Sequence, residues 1–271
     1  MDAEAFRRFE RETHDRLAAT YCDFFADDTR GMIEPLLDGA RVRAGARVLD
    51  VACGPGHVAA AAAARGARVL AVDLSPEMVA LARRSHPGLD ARQGDAEALP
   101  FDDARFDAVV CNFGLGHFPR PETAVRELAR VLVPGGRLAL AWWDVPARSR
   151  ANGALLDAVA AVGAPPPADV PPGPPAFQFS EDAALAALLR AAGLADVAVT
   201  THTWTHRAPS VDMWWHGGLG GMARAASAIR GQSADVQRRI RAEFERLAAA
   251  YAVDGGYDIP NSAKLGVGTT R

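Results

Sequence analysis

The segment Arg47-Val-Leu-Asp-Val-Ala-Cys-Gly-Pro-Gly-His-Val-Ala59 runs from an apolar stretch straight into a glycine-rich corner. Gly54-x-Gly56-x-x-Ala59 fits the loose pattern by which α/β folds bring their backbone close to a nucleotide. Asp73, nineteen positions after Gly54, is spaced to accept both hydroxyls of a ribose. Dinucleotides and S-adenosylmethionine both carry a ribose, so Asp50, four residues before Gly54, decides between them. A pyrophosphate over the turn would meet this carboxylate, and like charges ~4 Å apart at an effective dielectric of about 20 cost about 4 kcal/mol. The ammonium group of S-adenosylmethionine would be attracted instead.

His117 offers acid/base chemistry. It follows Asn112 by five positions in the loop leaving another apolar run. An imidazole with an ordinary pKa of about 6.5 suits proton removal at neutral pH, a step that contributes about 10² to 10⁴ in rate. Tyr21 is the second candidate, although its helical stripe of Phe6, Phe9, Leu17, Tyr21 and Phe24 also has the meaning of core packing. Trp143, Phe177, Trp214, Trp215 and His216 are expected to line an apolar, aromatic acceptor pocket, with ordinary core anchoring as the competing role. No metal is expected: His202 and His206 would share a strand face about 13 Å apart, too far for one ion. His57 should face the glycine loop, and His14 and His86 read as surface residues.

The elements that must carry these residues follow two alternating periods. ARVLDVAC, ARVLAVD, FDAVVCN and GRLALAWW are short Val/Leu-rich runs, separated by helix-like VAAAAAARG, SPEMVALARRS and RPETAVRELARVL. Gly66, His86-Pro-Gly88 and Val133-Pro-Gly-Gly136 stop the helices, and Ser75-Pro76 pairs an N-cap with a proline in the first turn. Near-continuous apolar runs of this kind belong to a parallel sheet covered on both faces. After Trp143 comes a proline-rich loop, Ala164–Pro175, then a helix over 180–193, a strand over 195–204, a mostly helical 211–251 and a closing strand from Ile259. The expected fold is α/β: a Rossmann-like, seven-stranded, mostly parallel sheet with helices on both faces. A helical cap over 1–30 precedes a main domain over 31–271, whose insertions at about 145–180 and 211–258 form a helical lid.

Composition bounds the function. Of 271 residues, 30 are basic and 33 acidic, giving a net charge of −3, so no basic excess exists to hold a nucleic acid. Three dispersed cysteines suit a reducing cytoplasm better than a disulfide framework. The N-terminus is charged from its second residue, and no apolar run approaches the ~20 residues of a membrane span, so neither export nor a membrane is expected. The oligomeric state is left open.

Asp50-Val-Ala-Cys-Gly54-Pro-Gly56, Asp73 in AVDLSPEMV, Asp95 in QGDAEALPF, FDAVVCNFGLGHF and LVPGGRLAL resemble, in order and spacing, the successive motifs of class I S-adenosylmethionine-dependent methyltransferases. The nearest group is the ubiquinone/menaquinone-biosynthesis-like branch with its natural-product relatives. The resemblance covers about residues 46–143 and is looser elsewhere. It implies that Ala52, Gly54 and Gly56 pass close to the methionine portion of the cofactor, Asp73 binds the ribose, and Leu74 and Met78 sandwich the adenine. Asp95 and the Ala96 amide would read the adenine edge, Asn112 and Phe113 would lie near the sulfonium, and Tyr21 would reach the cofactor carboxylate. The implied activity is methyl transfer to a small aromatic or apolar metabolite, with C-methylation of an indole- or quinone-type ring as one form. Two alternatives stand beside it: a cyclisation catalyst that binds the cofactor without transferring its methyl, and an NAD(P)-dependent oxidoreductase.

Overall fold

The Val/Leu-rich runs become the strands of one sheet in the computed structural model, which describes residues 1–165 and 170–271, the side chain of Asp23 apart. In chain order the helices and strands are α1 (Ala3–Leu17), α2 (Phe25–Thr29), α3 (Ile33–Gly39), β1 (Arg47–Val51), α4 (His57–Ala64), β2 (Arg68–Asp73), α5 (Pro76–Ser85), β3 (Asp90–Gln93), β4 (Phe106–Asn112), α6 (Pro121–Arg130) and β5 (Leu132–Trp143). They continue with α7 (Arg150–Val162), α8 (Asp182–Ala191), β6 (Ala195–Ala208), α9 (Val211–Gly221), α10 (Ala223–Arg230), α11 (Ala234–Ala248), β7 (Ala252–Val253) and β8 (Gly256–Thr269). Residues 166–169 of the proline-rich loop lie outside the described residues.

The strand order is β3-β2-β1-β4-β5-β8-β6, with β7 paired to β8. The first five run parallel to one another, and β8 runs antiparallel to both β5 and β6. The expected seven strands are present, and the two-residue β7 adds an eighth. Asp254-Gly255 closes the β7–β8 hairpin in two residues with Gly255 at φ 73°, so the last strand starts at Gly256, inside the expected lid insertion.

Local chemistry accounts for the helix starts around the site. Ser75 Oγ accepts the Met78 amide at 3.0 Å ahead of Pro76, and α1 begins where Asp2 accepts the amides of Glu4 and Ala5. The buried stripe of α1 is Phe6, Glu10, Thr13 and Leu17, with a carboxylate in a position that should be apolar. Val48, Leu49, Val109, Val110, Leu138 and Leu140 bury completely at the sheet centre, as strands covered on both faces must.

Of the helices outside the βα repeat, α3 and α8 pack against strands of the sheet. Here α7 packs on α11, while α9 meets the cap through its glycines. A Cβ at Gly217 or Gly221 would stand 2.2 Å from Phe24 or Phe25, so only glycine lets α2 seat its two rings against α9.

Candidate active site

Two tight turns at adjacent strand ends frame a cleft. After β1 the chain turns through Ala52 at φ 55°, Gly54 at 51° and Gly56 at 83°, and after β4 Phe113 sits at 58°. Left-handed backbone at an alanine and a phenylalanine is strained, and such strain collects where ligands are held. Gly56 is constrained from behind the turn: a Cβ there would meet Leu89 at 2.9 Å and Ala82 at 3.1 Å. Glycine here lets the turn pack closely on α5.

The cleft in front of the turns is open to solvent and offers about 750 Å³ of free space, its open mouth included. Ala52, Gly54, Asp73, Leu74 and Met78 line it after β1 and β2, Asp95 and Ala96 after β3 on one flank, and Asn112 and Phe113 after β4 on the other. Asp73 accepts the Gly54 amide on one oxygen and the Ser75 amide on the other, both at 2.9 Å, which fixes its carboxylate at the rim. Burial raises its pKa against the pull of those two amides.

Asp50 lies behind the turn, 1% exposed, with no hydrogen-bond partner for either oxygen. The Ala59 amide lies toward it without closing a bond, and burial, then the charge of Asp73, pushes its pKa up to about 8. Asn112 donates to the Thr29 carbonyl at 3.2 Å and leaves its own Oδ1 unpartnered. Both side chains open on a side pocket shared with Tyr21, Thr29 and Gly54. An unsatisfied buried acceptor costs about 1–3 kcal/mol, and a cationic donor at this place would relieve all three oxygens. The ammonium of S-adenosylmethionine fits that requirement, and the Asp73 carboxylate fits its ribose.

The carboxylate expected at the adenine edge, Asp95, is already engaged. Arg7 of α1 approaches Asp95 at 2.8 Å and Glu97 at 2.7 Å, Asp95 accepts the Glu97 amide at 2.9 Å, and Arg120 also pairs with Glu97. Asp95 therefore does not wait open for an adenine amino group. The cap helix stands on it, and a ligand must share or displace Arg7.

A second cavity, with about 660 Å³ of free space counting its open mouth, adjoins the first across Tyr21, Phe113 and His117, which line both. Its walls are aromatic: Phe113 stacks on Trp143 with centroids 4.0 Å apart, Phe25 meets Trp143 edge-on at 5.9 Å, and Phe177 and Trp142 complete it. The Trp142 indole donates to the Ala176 carbonyl at 2.8 Å. Burial, then the charges of Asp73 and Asp28, holds the Tyr21 phenol far above its ordinary pKa, so Tyr21 can donate a hydrogen bond but is no general base at neutral pH.

Trp214, Trp215 and His216, expected in this pocket, are placed elsewhere. Trp214 is fully buried, donates to the Ala151 carbonyl at 3.1 Å and packs on Phe244 and Tyr251. Trp215 packs on Phe244 beneath the Arg241 guanidinium, and His216 is exposed. The physical reason is the facing of α9: its glycine side meets the cap, which turns its tryptophans toward α7 and α11. They are core anchors.

His117 is held by a residue that the sequence reading passed over. Its Nδ1 lies 2.9 Å from Oε2 of Glu10, a carboxylate only 2% exposed. His14, read as a surface residue, belongs to the same cluster: its Nδ1 donates to the Glu10 carbonyl at 2.8 Å, and its ring meets His117 edge-on at 4.8 Å. Arg224 lies 3.9 Å from Oε1 of Glu10. Burial opposes ionisation of Glu10, yet His117, His14 and Arg224 together hold its pKa below the ordinary value. The charged position within the buried stripe of α1 was the available signal.

The remaining histidines stand apart from the aromatic cavity. His57 pairs with His86 at 3.1 Å, and its pKa falls to about 4 through burial and then Arg30. His202 bonds Thr200, while His206 packs on Phe24. A further buried carboxylate, Asp28, accepts from Trp204 at 3.1 Å and Asn261 at 2.6 Å, and burial lifts its pKa to about 7. Among the described residues, no helix is long and apolar enough to cross a membrane.

Comparison with known proteins agrees with this geometry. A family model described as a methyltransferase domain matches residues 49–140. The demethylmenaquinone methyltransferase of Clavibacter sepedonicus is 45% identical over 106 residues, covering 38% of this chain and 43% of that protein. The chain thus spans about half the length or less of these curated relatives. Among solved structures, phosphoethanolamine N-methyltransferase 2 of Haemonchus contortus, bound to phosphomonomethylethanolamine and S-adenosylhomocysteine, aligns over 88% of this chain and 52% of its own at 17% identity and a TM-score of 0.52. The (4+2)-cyclase SpnF aligns over 88% of this chain and 80% of its own at 19% identity and a TM-score of 0.52. At these identities both show a shared fold.

Proposed function

We propose, for a chain that belongs to the class I S-adenosylmethionine-dependent methyltransferases of the ubiquinone/menaquinone-like branch, that it methylates a small aromatic acceptor carrying an ionisable hydroxyl or ring N–H. The carrying observation is the juxtaposition of two sites: the unpartnered Asp50 and Asn112 beside the glycine turn, and an aromatic cavity that meets the cofactor cleft at Tyr21, Phe113 and His117. S-adenosylmethionine supplies a methyl group made electrophilic by its sulfonium.

The chain's own residues bind, orient and exclude water. Asp50 and Asn112 take the ammonium, Tyr21 donates to the carboxylate, Asp73 holds the ribose, and Leu74 and Met78 flank the base, with Asp95 and Ala96 at its edge. Phe113, Trp143 and Phe177 fix the plane of the acceptor ring so that its nucleophilic atom faces the methyl in line, which supplies much of the acceleration. His117, common to both cavities, takes the acceptor's proton. The names of the menaquinone-type relatives favour a hydroquinone- or naphthol-like ring, and C-methylation of such a ring suits the same geometry. Buried thiols at Cys53 and Cys111 suit a reducing cytoplasm.

The test is mass spectrometry with methyl-labelled S-adenosylmethionine and a panel of short-chain naphthohydroquinones, phenols and indoles. Label in an acceptor with equal release of S-adenosylhomocysteine supports the reading. Acceptor conversion without S-adenosylhomocysteine would make this chain a cyclisation catalyst. Binding of NAD(P)H in place of S-adenosylmethionine, read by tryptophan fluorescence, would return it to the oxidoreductases.

A further inference from the structure

We propose that Glu10, on the cap helix, is the positioning residue of a Glu10–His117 dyad that keeps the His117 proton on Nδ1 and leaves Nε2 free to accept the acceptor's proton. The inference rests on the proposed methyl transfer for its chemistry but on geometry for its evidence. A carboxylate is acceptor-only, so the 2.9 Å contact with Nδ1 requires the hydrogen there. Glu10 is buried and held ionised by His117, His14 and Arg224, and its Oε1 has no hydrogen-bond partner. A buried ionised group so arranged sits in a costly environment that a passive packing residue would not need. His14, whose Nδ1 is bonded to the Glu10 carbonyl, lines only the cofactor cleft, whereas His117 lines both the cofactor and the acceptor cavities.

The step balances as follows in bonds and charge. The acceptor's O–H or N–H proton passes to Nε2 of His117, and the freed electron pair, on the heteroatom or on a ring carbon conjugated with it, forms the bond to the methyl carbon. The C–S pair stays on sulfur. The products are the methylated acceptor, neutral S-adenosylhomocysteine and a protonated His117, whose charge Glu10 stabilises until water removes the proton. In the serine-protease triad, replacing the buried carboxylate that orients the imidazole lowers kcat by about 10⁴. Here the carboxylate comes from α1, so the acid/base machinery is complete only with the cap docked.

Glu10, His14 and His117 also lie close enough together to suggest a divalent cation, their ligand atoms all within 4.8 Å of one another. Two features favour the dyad. Nδ1 of His14 is already hydrogen-bonded, and the Arg224 guanidinium stands 3.9 Å from the same carboxylate, where it would repel a cation.

The deciding measurement is nitrogen NMR of histidine-labelled protein saturated with S-adenosylhomocysteine, the His117 signals being assigned by their loss in His117→Gln. The wild type should show the Nδ1–H tautomer at about pH 8. Glu10→Ala should relax it toward the Nε2–H form that imidazole prefers in water, and Glu10→Asp should restore it in part; Glu10→Leu replaces Ala if that variant does not fold. With whichever labelled acceptor is methylated, Glu10→Ala should lower kcat by about tenfold or more and leave KM for S-adenosylmethionine within about twofold. Nε2–H in the wild type, or a tautomer indifferent to Glu10, overturns the dyad. So does a bound divalent metal whose removal by EDTA shifts the His14 and His117 signals together. If the tautomer behaves as proposed and no acceptor is methylated, the methyl-transfer reading fails and the positioning role stands.

Discussion

On the cofactor side of the cleft, Asp50 and Asn112 carry buried acceptor atoms that nothing in the protein satisfies. On the acceptor side, Phe113 lies flat on Trp143 and the Trp142 N–H is already bonded to a carbonyl. The first region is complete only with a charged ligand in place; the second is complete by itself and selects by shape. The free protein therefore stores unfavourable electrostatics beside the glycine turn, to be released on binding, and spends packing energy to hold the aromatic wall rigid. Affinity should come mainly from one side and acceptor choice from the other.

Trp143→Ala tests that separation with the largest expected effect. Removing a buried tryptophan costs about 3–5 kcal/mol of stability, so the melting temperature should drop sharply. S-adenosylhomocysteine affinity of the protein that remains folded should change little. Calorimetry showing a comparable loss of affinity would mean that the two sides are one unit.

Asp50→Asn probes the opposite side. Loss of a buried, charge-assisted partner for the ammonium should weaken S-adenosylmethionine by about 2–5 kcal/mol. The free protein should not be destabilised at about pH 8, because the carboxylate removed has no partner to lose. A melting temperature lowered along with the affinity would show that Asp50 is structural.

A smaller effect should appear in the pH dependence of stability. Asp28 and Asp50 keep their protons in the folded state up to about 7 and 8, whereas the unfolded chain releases them near the ordinary 3.8. Their contribution is fully present below the unfolded value and is lost as pH rises through those two values, with a slope of at most about 1.4 kcal/mol per pH unit per group. His57, His86 and His206, whose pKa values burial lowers, act in the opposite sense at mildly acid pH, so the decline should be read above about 6.5. Denaturant melts should show the free protein losing stability toward about pH 8, and Asp50→Asn should flatten the curve. A wild-type curve rising over that interval would contradict the buried, protonated Asp50.

The smallest expected effect is at His216, which is exposed on α9. His216→Ala should leave stability within about 0.5 kcal/mol and cofactor binding unaltered. A clear change in acceptor turnover would draw α9 back into the acceptor site.

The strands, most helix starts and the glycine turn are legible along the chain. Apolar runs, the Ser75-Pro76 cap and the spacing from Asp50 through Gly54 to Asp73 are properties of neighbours along the chain, and backbone geometry converts them directly into a parallel sheet with two carboxylates at its carboxyl edge. Even there, the tight approach of Gly56 to Ala82 and Leu89 behind the turn exists only in the folded protein. Tertiary structure alone decided which face of each added helix meets the site. In α9 a tryptophan face and a glycine face stand on one helix, and only the seating of Phe24 and Phe25 against Gly217 and Gly221 sends Trp214 and Trp215 away from the acceptor. The Glu10–His117 pair joins residues 107 positions apart, and Asp28 meets Asn261 across 233. Periodicity shows that a helix has an apolar stripe but not what lies against it, so the contacts that a charged residue in that stripe makes exist only once the layers have packed.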